Sequence, residues 1–103
     1  MIRHSSSFPN GRWDWVVEGD TVKQFNHAMF GDGNGEDAVK GALTMLNEIR
    51  TVFTDGRVLK RIDNLIKAFN AVEDMEDHTH INKLANKLYD FCDQWNIFIG
   101  WDW

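Results

Sequence analysis

Asp74, Asp77, His78 and His80 fall in one short stretch and form the one cluster in the sequence with metal-ligand chemistry. Imidazole nitrogens and carboxylate oxygens are ligands that zinc and other divalent metals accept. Their spacing pulls two ways: His78 and His80 share a side only if the segment is extended, whereas Asp74 approaches His78 only if it is helical. Both geometries cannot hold at once, so the sequence predicts a solvated turn whose acids cap the following helix, with no metal or other cofactor. Asp32, Asn34 and Glu36 place oxygens at alternate positions as a calcium loop does. Asp37 nevertheless stands where the turn glycine belongs, and Leu43 where the bidentate glutamate belongs. Gly31, Gly33 and Gly35 suggest a phosphate cradle, but the lysine such a cradle needs is missing.

Nucleophilic catalysis finds less support still. Cys92, the only cysteine, sits between Phe91 and Asp93 on an apolar stripe, where burial and a nearby carboxylate would suppress the thiolate. Ser5, Ser6 and Ser7 have no acid–histidine pair that spacing attaches to them. The sequence therefore predicts a non-enzymatic protein. A single cysteine forbids an intrachain disulfide and suits a reducing cytoplasm. The start, Met1 to Ser7, has no apolar run behind Arg3, so no secretion signal is expected. The longest apolar stretches, such as Ile97-Phe98-Ile99, are too short to span a membrane.

Charge is the stronger clue to a partner. The formal net charge is −5, and its distribution is uneven. Arg57, Lys60, Arg61 and Lys67 oppose only Asp63 in residues 57–72, whereas residues 73–103 carry seven acids against Lys83 and Lys87. An acidic chain with one small basic patch supplies few phosphate contacts, so direct binding of nucleic acid is not expected. The basic patch reads as a solvated face or as partners for neighbouring acids. The run Glu73, Asp74, Glu76 and Asp77 instead suits a basic protein surface, such as one that normally holds nucleic acid. Aromatic anchors would add to it. Trp13 and Trp15 lie two apart, as do Trp101 and Trp103, so each pair shares a side if its segment is a strand. Core packing is the favoured role for these rings and interface contact the alternative, with Trp101 and Trp103 as candidate contacts.

The elements that position these residues follow from periodicity. Arg12 to Val17 alternates as a strand does, and Asp20 can cap a short helix in which Val22, Phe25 and Met29 share a face. A hairpin through Glu18-Gly19-Asp20 is the competing reading. Val39, Leu43, Leu46, Ile49 and Phe53 predict a helix over about 36–53, and Val58, Ile62, Leu65, Phe69 and Val72 another over about 56–73. The second stripe is the wider, which makes this helix the expected centre of the fold. Ile81, Leu84, Leu88, Phe91 and Trp95 predict a third over about 79–95, capped by Asp77 or Thr79. A strand over about 97–102 follows. The expected fold is α+β and mainly α: one domain spanning 1–103, three long helices and a short one, with strands near 12–17 and 97–102 pairing to close it. Residues 1–11 are expected to be partly flexible.

No stretch carries a recognisable family motif. In size, acidity and lack of a catalytic set, the chain resembles the small acidic proteins with which phages and other mobile elements disable host machinery, including anti-CRISPR and other anti-defence inhibitors. That resemblance implies an inhibitor docked on a larger protein in the host cytoplasm. The other expectations are a metal-dependent enzyme or ligand binder using His78, His80 and nearby acids, and a self-associating protein whose end strands pair between copies in a homodimer.

Overall fold

The chain runs β1 (Ile2–His4), β2 (Trp15–Val17), α1 (Asp20–Phe30), α2 (Gly35–Arg50), α3 (Gly56–Asn70), α4 (His78–Gln94) and β3 (Ile97–Ile99) in a computed structural model that describes residues 2–4, 13–30 and 34–100. The mainly helical α+β architecture is as expected, and a helix at Asp20 replaces the competing hairpin. Each long helix starts on a side-chain cap. Asn34 accepts from the Asp37 N–H at 2.9 Å, Asp55 from the Arg57 N–H at 2.9 Å and Asp77 from the His80 N–H at 3.1 Å. Each satisfies an amide that the first helical turn leaves without a partner. The helices end earlier than their apolar stripes suggest: α2 stops at Arg50, short of Phe53, and α3 at Asn70, short of Glu73.

The central helix is α2, not α3. It packs against α1, α3 and α4, and buries Ala38, Val39, Gly41, Ala42, Met45, Leu46 and Ile49, whereas α3 buries only Val58, Ile62, Leu65 and Phe69. Stripe width misled because it counts large side chains. Centrality here comes from small ones that admit neighbours on more than one side. A Cβ on Gly41 would stand 2.8 Å from the Phe25 Cβ, so α1 lies directly on the α2 backbone at that point.

The sheet has the order β1-β2-β3. β2 pairs in parallel with β3, Trp15 opposite Ile97 and Val17 opposite Ile99. A parallel pair needs a crossover, and here all four helices supply it. The two end strands thus meet as expected. β1 was not expected: Ile2–His4, within the segment read as partly flexible, pairs antiparallel with β2, with Ile2 opposite Val17 and His4 opposite Trp15. Val17, Ile97 and Ile99 point into the helical core beside Phe25, Leu88 and Phe91.

Asn96 makes the turn from α4 into β3. Its φ of 58° is left-handed, a conformation asparagine tolerates better than most residues. Its carbonyl accepts from Asp14 N–H at 2.8 Å and Trp15 N–H at 3.2 Å, which starts the β2–β3 ladder. Among the described residues, no helix is long and apolar enough to cross a membrane.

Candidate functional site

The acidic run is built by the α3–α4 connection. Val72 is buried, and Met75 is half-buried against the core, so the chain is pinned at two points and its charged residues are turned outward. Glu73, Asp74, Glu76 and Asp77 are all exposed. Asp74 Oδ1 accepts from the Glu76 N–H at 2.9 Å and Asp77 caps α4, so two of the carboxylates shape the turn. Glu73 and Glu76 have no such internal duty. None of the four forms an ion pair among the described residues, although Glu36–Lys40, Arg50–Asp63, Arg57–Asp55 and Arg3–Glu18 pair elsewhere on the surface. Gly35 lies directly behind this turn. A Cβ there would overlap the Met75 carbonyl oxygen and meet Ile81 Cδ1 at 2.7 Å, so the turn is seated on the start of α2.

His78 and His80 both lie in the first turn of α4 and are exposed. Two residues apart on a helix, they diverge. Asp74 stands outside that helix with an oxygen engaged by Glu76. Among the described residues, no group of three His, Cys, Asp or Glu side chains is placed to hold a metal ion. Cys92 is buried at 2% exposure, and burial pushes its thiol from 9.0 up to about 12, which leaves almost no thiolate near neutral pH.

The tryptophans divide. Trp13 and Trp15 do not share a side, contrary to the sequence reading, because β2 begins only at Trp15 and a bend at Asp14 breaks the alternation. Trp13 packs on Phe98, with ring centroids 5.5 Å apart. Trp15 joins a line of rings on the other face: His4 at 5.2 Å, then Phe53 at 6.4 Å, which meets Trp95 at 6.5 Å. All three of these tryptophans are half-buried, and Trp15 and Trp95 pack against the core. Trp101 and Trp103 lie outside the described residues.

A buried polar link ties these parts together. Asn26 on α1, 5% exposed, donates through Nδ2 to the Gly100 carbonyl at 3.4 Å. The Tyr89 hydroxyl donates to Asn26 Oδ1 at 3.5 Å. Desolvation, with a smaller push from Cys92, moves the Tyr89 hydroxyl up to about 12.

The basic residues of α3 have varied surroundings. Arg57 pairs with Asp55, while Lys60 and Lys67 are exposed. Arg61 instead turns toward Phe91 and Gln94 of α4, and it lines a groove that Lys87 also lines. Sequence spacing gave no sign of that shared groove, because the two cations belong to different helices. Compared with known protein families, curated proteins and solved structures, the chain has no match.

Proposed function

We propose that this protein is a non-enzymatic binding module that docks the acidic turn of Glu73, Asp74, Glu76 and Asp77 on a basic surface of a larger protein. One observation carries this reading: among the described residues, four exposed carboxylates crowd a single turn without an ion pair, whereas Glu18, Glu36, Asp55 and Asp63 each have a basic partner. Like charges held together raise the local potential, and a basic partner relieves it while speeding encounter. Trp101 and Trp103 would add aromatic contact from the chain's far end. An inhibitor of host machinery of the anti-defence kind, acting in the host cytoplasm, fits this chemistry. The metal-dependent alternative lacks a set of three ligands among the described residues.

The test separates charge from folding. Glu73→Lys/Glu76→Lys changes only the two carboxylates that neither cap nor brace the turn, so the fold is expected to survive, as judged by circular dichroism. Capture of a stoichiometric partner by the wild type, weakening steeply with salt and lost in the double variant, supports the reading. Equal capture by both proteins rejects it.

A further inference from the structure

Arg61 stands apart from the other described arginines, Arg3, Arg50 and Arg57. Among the described residues, Arg3, Arg50 and Arg57 each contact a carboxylate, at 2.8, 2.9 and 3.1 Å. Arg61 contacts none. Its guanidinium lies over the buried Phe91 ring, 5.4 Å from the centroid, and NH1 donates to the neutral Gln94 Oε1. A ring face and an amide hold the cation in place without neutralising it. Beside it runs a groove of about 370 Å³ between α3 and α4, lined by Arg61, Asn64, Leu65, Ala68, Lys87 and Asp90. Lys87 and Asp90 also lack an ion pair among the described residues, so two cations and one carboxylate face the same space without satisfying one another.

We propose that this groove binds the carboxylate of an acidic side chain on a partner peptide, through Arg61 and Lys87, with Asn64 donating a further hydrogen bond and Asp90 accepting from the peptide N–H beside it. The fork of an arginine matches the two oxygens of a carboxylate, and a fixed guanidinium gives up little freedom in meeting it. Asp90 decides against a phosphate, since a dianion would sit beside a carboxylate on a chain already at −5. The openness of the groove decides the source of the carboxylate. Asn64, Lys87 and Asp90 are exposed and only Leu65 is buried, so a free small acid would be left largely in water, unlike ligands of enclosed pockets. An acidic side chain held on a longer chain gains its remaining contacts along the helix pair. This site shares no residue with the acidic turn and stands or falls independently of it.

The probe is the capped peptide acetyl-Gly-Glu-Gly-amide, titrated into the full chain while backbone amides, the Asn64 side-chain amide and the arginine Nε–H groups are followed by NMR. Saturable shifts at Arg61, Asn64 and Lys87 are expected, with Arg57 unmoved. Arg61→Gln should weaken binding about tenfold or more, and Lys87→Gln by a smaller factor. Glu73→Lys/Glu76→Lys should leave the response intact. The proposal is overturned if the glutamine counterpart of the peptide gives the same shifts, if phosphate at matched ionic strength binds more tightly, if Arg57 moves in step with Arg61, or if no shift saturates.

Discussion

Gly41 shows how much one missing methyl group decides. Its Cβ would stand 2.8 Å from the Phe25 Cβ and 3.2 Å from the Phe25 Cα, both rigidly placed atoms at the α1–α2 contact. Gly41→Ala is expected to cost about 1–3 kcal/mol, since a well-packed core resists insertion even though alanine favours a helix. Urea unfolding checks this, and an unchanged midpoint would mean that α1 shifts without strain. Cys92 supports a prediction about pH. Burial raises its folded pKa from 9.0 to about 12, so the unfolded chain releases the thiol proton first as pH rises. The stability tied to this thiol is complete below pH 9.0 and is lost as pH climbs toward about 12, at roughly 1.4 kcal/mol per unit. Tyr89 acts in the same direction above 10.0. Cys92→Ala should flatten the decline measured between these limits, and an identical slope would contradict it. At this scale the sequence was informative about Cys92, because an apolar stripe implies burial. It could not separate Arg61 from Arg57, which needs the positions of Phe91, Gln94 and Lys87.

Each long helix depends on a residue just outside it, and Asp77 has the most to do. It caps α4 and also belongs to the acidic turn, so a change there mixes two effects. Asp77→Ala is expected to lower stability by about 1 kcal/mol through the lost cap, while Glu76→Ala, which removes a similar charge and no cap, should change it by less than half that. Thermal unfolding of the two variants side by side gives the answer, and equal losses would show that charge rather than capping dominates. The three long helices were legible because amphipathic spacing and capping residues are local signals. Their last turns were less so: apolar residues such as Phe53 and Val72 continue the stripe after the helix has ended, packing from the connections instead. β1 was the least visible element. A strand of three residues carries too little pattern to be read alone, and its partner β2 lies further along the chain.

The molecule as a whole has a Cα radius of gyration of 13.2 Å, close to the ~13 Å of a single folded domain of this length. Its strands do not contribute equally. Ile97 and Ile99 are buried in the core, whereas β1 offers only the half-buried Ile2 beside the exposed Arg3 and His4. Ending the chain at Asn96 is therefore expected to abolish cooperative unfolding, while removing Met1–His4 should cost about 1–2 kcal/mol, roughly one partly buried aliphatic side chain. Calorimetry distinguishes the two, and a cooperative transition in the chain ending at Asn96 would refute the closing role of β3. The sequence by itself determined the helical segments, the burial of Cys92 and the crowding of acids at 73–77, because each depends on residues only a few positions apart. Tertiary structure alone decided that α2 is central, that β2 and β3 run parallel, that Trp13 and Trp15 part company, and that Arg61 and Lys87 line one groove. Those outcomes rest on contacts between segments far apart in the chain, whose energies depend on shape and mutual position rather than on local pattern.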